Sequence, residues 1–122
     1  MTEFSLYHVG QYRDDFNKLL NTNLPLCEIY QSEGLYKHIL KRHPNCVKYI
    51  KNISDIINNP DYIGKNPKEP NSLELVKCYS DNILIAIKFD VKENHMYIAT
   101  LYELSSSKLA RRINSGRLKK II

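Results

Sequence analysis

Three runs of strand-forming residues, Leu73 to Tyr79, Ile83 to Asp90 and His95 to Glu103, follow one another with only Ser80-Asp81-Asn82 and Val91 to Asn94 between them. Connections this short join antiparallel neighbours, because a parallel pair needs a crossover of about a dozen residues or more. The runs therefore predict a meander of hairpins. In the middle run Ile83, Ile85, Ile87 and Phe89 point one way, and Leu84, Ala86, Lys88 and Asp90 the other, since side chains alternate along a strand. The second face is the less apolar, and it is the one expected to stay partly open.

The first half of the chain reads as helices. Phe16, Leu19 and Leu20 put an apolar stripe on a short helix near residues 12–22, stopped by Asn21-Thr22-Asn23 and Pro25. A second helix is expected from Ser32 to about Arg42, with Leu35, Ile39 and Leu40 inward and Lys37 and Lys41 outward. Pro44 drives the residue before it out of the α region, so His43 should sit at a break. A third helix is expected from about Asn45, carried by Val47, Ile50, Ile53 and Ile57 and ended by Asn58-Asn59-Pro60. Asp61 to Asn71 reads as a loop, with Tyr62-Ile63 as a candidate edge strand. After Leu104, Ser105-Ser106-Ser107 offers an N-cap for a short basic helix to about Asn114, which Gly116 can end. Helices followed by strands favour an α+β fold, with N-terminal helices packed on a small antiparallel β-sheet meander and a short basic C-terminal helix.

At 122 residues and 43% hydrophobic content, one domain spanning 1–122 with one core is expected. The longest apolar run, Ile83 to Ile87, is far short of the roughly 18 residues that span a bilayer. Met1 to Ser5 lacks the basic and apolar stretches of an export signal. Cys27, Cys46 and Cys78 are odd in number and widely spaced, which argues against a disulfide framework and for a reducing cytoplasm. A zinc site built on Cys46 with Cys27, Cys78 or His95 has no paired Cys-x-x-Cys behind it.

The net charge of +5 is unevenly spread. Residues 34–52 contain Lys37, Lys41, Arg42, Lys48 and Lys51, and residues 104–122 contain Lys108, Arg111, Arg112, Arg117, Lys119 and Lys120. Eleven of the eighteen cations thus lie in two blocks that hold no acid. This is the pattern of a polyanion-binding face beside an acidic remainder, although two solvated helix faces would read the same. Neither block carries the Trp or Phe anchors of a membrane-surface helix.

Chemistry concentrates in Gly34 to Pro44, where His38 and His43 stand among Tyr36, Lys37, Lys41 and Arg42. RNA cleavage without a metal needs such groups: a base for the 2′-hydroxyl proton, an acid for the leaving 5′-oxygen, and cations for the charge on the phosphorane. Histidine suits either proton role near neutral pH. Positions five apart on a continuous helix diverge by about 140°, so only the break at Pro44 can bring His43 toward His38. The plainer alternative is that His38 packs beside Leu35 and Ile39 while His43 bonds the helix end. Lys88, Thr100 and Tyr102 on the strands are further candidates for the same cleft, though all three also suit ordinary strand positions. No Walker loop, Gly-rich dinucleotide turn or Gly-x-Ser-x-Gly elbow is present, so neither cofactor nor metal is expected.

The stretch from Gly34 to Arg117 resembles the phage-associated nuclease family grouped with barnase, EndoU, the colicin ribonucleases and RelE (PBECR). The carrying features are Leu35-Tyr-Lys-His38-Ile-Leu-Lys-Arg-His43-Pro44, Ile57-Asn-Asn-Pro60-Asp61-Tyr62-Ile63-Gly64, Ile83-Leu-Ile-Ala-Ile-Lys88 and Tyr97-Ile-Ala-Thr100-Leu-Tyr102, in that order. The resemblance implies N-terminal helices on a small antiparallel sheet, with an RNA-cleaving site between helix and sheet. It implies a toxin-type ribonuclease that acts on RNA, with a cognate immunity protein or antitoxin as a candidate partner. By motif match His38 and His43 are the helical catalytic positions and Lys88, Thr100 and Tyr102 the sheet contribution. Lys37, Lys41, Arg42, Arg111, Arg112 and Arg117 are the expected RNA-binding cations. The competing expectation is a basic phage or mobile-element accessory protein that binds nucleic acid without cutting it. Residues 1–30 fall outside the resemblance and read as a helical extension of unassigned role.

Overall fold

The alternating runs form the centre of the sheet in the computed structural model, which describes residues 6–121. Met1 to Ser5, the stretch expected to lack an export signal, lie outside the described residues. In chain order the elements are β1 (Leu6–Gln11), α1 (Asp14–Leu20), β2 (Glu28–Ser32), α2 (Leu35–Arg42), a 3₁₀ helix (Pro44–Asn52), α3 (Ile53–Asn58), β3 (Tyr62–Gly64), β4 (Ser72–Cys78), β5 (Asn82–Asp90), β6 (His95–Leu104), α4 (Ser106–Asn114) and β7 (Leu118–Lys120). The strands make one seven-stranded sheet in the order β1-β2-β6-β5-β4-β3-β7. Among the described residues only β2 and β6 pair in parallel. The fold is α+β, as the order of helical and strand patterns implied. Among the described residues no helix is long and apolar enough to cross a membrane.

One face of the sheet carries the main core. Ile83, Ile85 and Ile87 of β5 are fully buried there with Leu73, Leu75, Met96 and Leu101, under Phe16, Leu35, Ile39, Ile53 and Ile57 from the helices. Each such side chain removed from water contributes roughly 1.5–3 kcal/mol. On the opposite face Val76, Leu84, Leu104 and Leu118 form a smaller cluster, covered by Leu109 and Ile113 of α4. Ser105 caps α4 by accepting from the Lys108 N–H at 3.2 Å. Only part of this second face is covered, and the open remainder becomes the cleft described below.

The N-terminal third departs from the helical expectation. Residues 28–32, partly assigned to the second helix, are a strand, so α2 begins only at Leu35. The stretch read as a helical extension supplies β1 and β2 to the same sheet, with α1 between them. Of these two strands only Ile29 is fully buried, which is why no alternating apolar pattern announced them. The expected third helix is instead a 3₁₀ helix followed by α3. With three residues per turn, it buries Cys46 and Tyr49 rather than Val47 and Ile50. Tyr62 and Ile63 are a strand but not an edge, because Leu118–Lys120 adds outside them as β7.

Candidate active site

His38 and His43 come together through the break that Pro44 imposes. α2 buries Leu35 and Ile39, which leaves His38 on an exposed flank of the helix. His43 closes the helix, its N–H donating to the Ile39 carbonyl at 2.7 Å, with φ −141° and ψ 62°. Pro44 then starts the 3₁₀ helix at its first position, where a missing N–H costs nothing. The kink offsets the 140° divergence of a continuous helix, and the two rings lie edge to face with centroids 6.5 Å apart. Both line a cleft of about 480 Å³ on the open face of the sheet.

A bulge in β6 supplies the opposite wall. Ala86 pairs with Thr100 but Ile87 pairs with Ile98, so Ala99 is an extra residue in the strand. Bulges re-aim the side chains that follow them. Met96 and Ile98 face the main core before the bulge, Leu101 faces it after, and Thr100 and Tyr102 are thereby turned into the cleft. His38 Nε2 and Thr100 Oγ1 are hydrogen-bonded at 3.0 Å. The His43 ring lies 5.6 Å from that of Tyr102. Ala86, between Glu74 and Thr100 across the strands, leaves the floor open.

Partial burial pushes the His43 imidazole below its ordinary 6.5, and the adjacent His38 and Arg42 lower it further. Neutral imidazole, with a free lone pair, is therefore its form at neutral pH. Lys88 enters the cleft from β5, and its ammonium stands 3.5 Å from Glu69 on the loop between β3 and β4.

Glu74 is, with Asn66, Glu69 and Ser72, one of the polar cleft residues that sequence reasoning missed. It is only 3% exposed, and a buried carboxylate needs partners to hold its charge. Arg117 Nε and Nη2 donate to its two oxygens at 2.9 and 2.7 Å, and Arg112 Nη1 lies 3.5 Å away. The same Arg112 atom donates to the Tyr102 hydroxyl at 3.4 Å. Arg112 and Arg117 are thus fastened to the cleft floor, and Glu74 holds the Arg117 guanidinium in its charged form.

The other expected cations divide. Arg42 lines the cleft beside the histidines, whereas Lys37 and Lys41 remain exposed on α2 and do not line it. Arg111 lies on an adjacent groove with one face of Arg112 and Arg117. Among the described residues no three of His, Cys, Asp and Glu are gathered as a metal site, so Cys46, Cys27, Cys78 and His95 do not converge.

The α+β sheet thus sets a bulged strand opposite a helical pair of imidazoles, across a cleft that Arg42 and Lys88 also line. Residues 7–111 match the family described as phage-Barnase-EndoU-ColicinE5/D-RelE like nuclease3 (PBECR3), and the chain belongs to this family of phage-associated nucleases. The match includes β1 and β2, so the resemblance extends well before Gly34, where the sequence motifs had placed its start. No curated protein and no solved structure matches the chain.

Proposed function

We propose that the chain is an endoribonuclease of the toxin type that cleaves RNA by transesterification without a metal ion. The observation that carries this reading is the meeting of His38 and His43 over one cleft, rings 6.5 Å apart, beside cations suited to a phosphodiester. His43, held neutral, accepts the 2′-hydroxyl proton. The 2′-oxygen then attacks phosphorus, and the bond from phosphorus to the 5′-oxygen breaks. His38 donates the proton that the departing 5′-oxygen needs, leaving a 2′,3′-cyclic phosphate and a free 5′-hydroxyl. Each proton transfer is worth about 10² to 10⁴ in rate.

The remaining residues have supporting parts. Thr100 orients the His38 ring through its hydroxyl. Lys88, which lines the cleft, faces the charge that grows on the phosphorane, the larger electrostatic contribution in reactions of this kind. Glu74 is fully occupied by guanidinium donors, which suits it to positioning Arg112 and Arg117 rather than to taking a proton. Arg42 meets the neighbouring phosphate.

Incubation of purified protein with total RNA tests the reading. Discrete fragments ending in 2′,3′-cyclic phosphate are expected, with single-stranded DNA left intact for want of a 2′-hydroxyl. Salt-sensitive RNA binding with no fragments would instead support the non-cleaving accessory protein. Growth arrest on expression, relieved by a co-expressed neighbouring gene, tests the toxin assignment.

A further inference from the structure

Beside the cleft, α4 and the loop after β3 enclose a second groove of about 700 Å³ whose lining holds five cations, Lys65, Lys108, Arg111, Arg112 and Arg117, and no acid. Two glycines build it. A Cβ on Gly64 would fall 2.0 Å from the Arg117 carbonyl oxygen, so only glycine lets β3 and β7 pair here. Gly116, at φ +85°, turns the chain out of α4 in the left-handed region and returns Arg117 toward Glu74. The result sets Lys65 across from Lys108 and Arg111.

Arg112 and Arg117 share the single negative charge of Glu74, which both contact. Lys65, Lys108 and Arg111 make no ion pair among the described residues, which leaves three positive charges unneutralised in one concavity. A depression whose lining includes Arg42, His43, Tyr102, Lys108 and one acid, Glu103, shares Lys108 with this groove and Arg42, His43 and Tyr102 with the histidine cleft. We infer that the groove is a track for the phosphodiester backbone of a single RNA strand, with Lys65, Lys108 and Arg111 each meeting a phosphate beyond the one held between His38 and His43. A flexible polyanion can follow cleft, depression and groove in turn, whereas the face of a folded acidic protein cannot enter all three.

The inference rests on the nuclease reading for its substrate, so its test uses binding alone. A 12-nucleotide 2′-O-methyl RNA, which lacks the nucleophile, is titrated by fluorescence anisotropy across a range of salt. Each phosphate contact on a single strand contributes about 0.7 to the slope of log affinity against log salt. Neutralising Lys65→Gln, Lys108→Gln and Arg111→Gln together should therefore flatten the slope by about 2, with the melting temperature kept. The charge-preserving set Lys65→Arg, Lys108→Arg and Arg111→Lys should retain the wild-type slope. An unchanged slope in the neutral variant overturns the track, and so does an equal loss in the charge-preserving one. Wild-type protein that ignores the RNA but binds polyglutamate overturns it in favour of an acidic protein partner. Loss of cleavage in a separate assay rejects the nuclease reading and leaves this result standing.

Discussion

Glu74 on β4 and Arg117 beyond α4 lie 43 residues apart in sequence and are joined by two hydrogen bonds, Arg117 Nε and Nη2 donating to the carboxylate at 2.9 and 2.7 Å. With Glu74 only 3% exposed and the Arg117 side chain 24% exposed, the pair ties the C-terminal segment to the sheet under the cleft. Removing one partner strands a charge. Glu74→Ala should destabilise the fold by about 3 kcal/mol, the low end for a broken buried pair. The double change Glu74→Met with Arg117→Met should recover part of that loss, since apolar replacement of both partners is often neutral, while Arg112 loses its carboxylate and keeps the Tyr102 hydroxyl. Urea unfolding of the three proteins checks this, and a double variant as weak as the single one would contradict it.

The depressed His43 pKa sets the direction of two pH effects. If His43 is the base, cleavage must rise with pH through a value below 6.5, and replacing Arg42 by Gln should move that limb upward, because its charge is one cause of the depression. Stability follows the same group. An unfolded chain protonates His43 near 6.5, while the folded chain resists until lower pH. Protons therefore favour unfolding in that interval. The His43 contribution is intact above pH 6.5 and is lost as pH falls through the folded value. An NMR titration of the His43 ring, in wild type and in Arg42→Gln, checks both; a titration above 6.5 in the wild type contradicts them.

Thr100→Val removes the hydroxyl that meets His38 Nε2 at 3.0 Å with little change of shape. The single-turnover cleavage rate should fall about tenfold, the equivalent of roughly 1.4 kcal/mol, within the net range of one ordinary hydrogen bond. RNA affinity should stay near that of the wild type. A drop in affinity with the rate intact would mean that Thr100 contacts the substrate instead of orienting the histidine.

The sequence made the meander and α4 readable because their signals are local. Ile83, Ile85 and Ile87 alternate cleanly, and Ser105 and Gly116 bracket α4. β1, β2 and β7 had no such signal. Each is short, half exposed or charged, and Leu118-Lys-Lys reads as a basic tail until β3 pairs with it. The site was legible to the same extent. His38, His43, Lys88, Thr100 and Tyr102 are side chains with recognisable chemistry, and all five line one cleft. Glu74 was not legible, since an acid on the outward phase of Leu73-Glu74-Leu75 looks solvated. Its burial depends on Arg117 and α4, far along the chain. The Ala99 bulge was equally hidden, although the spacing of three between Ile98 and Leu101 is the mark it leaves.

Chelation separates the proposed chemistry from metal-assisted cleavage. The cleft offers imidazoles and cations, and its two carboxylates are engaged, Glu69 with Lys88 and Glu74 with Arg117. Magnesium favours carboxylate and water oxygens in near-octahedral array. Cleavage in excess EDTA should therefore match cleavage without it, and a loss restored by magnesium or zinc would reject the mechanism.

The central claim is that His38 and His43 are the two proton carriers, and the single-turnover cleavage rate of His38→Ala and His43→Ala tests it most directly, read beside melting temperature and RNA affinity. Each variant should stay folded, bind RNA nearly as the wild type does, and cut about 10² to 10⁴ times more slowly. Folded variants that bind RNA and cut at the wild-type rate would contradict the claim, and a rate loss matched by unfolding would return the histidines to core and cap.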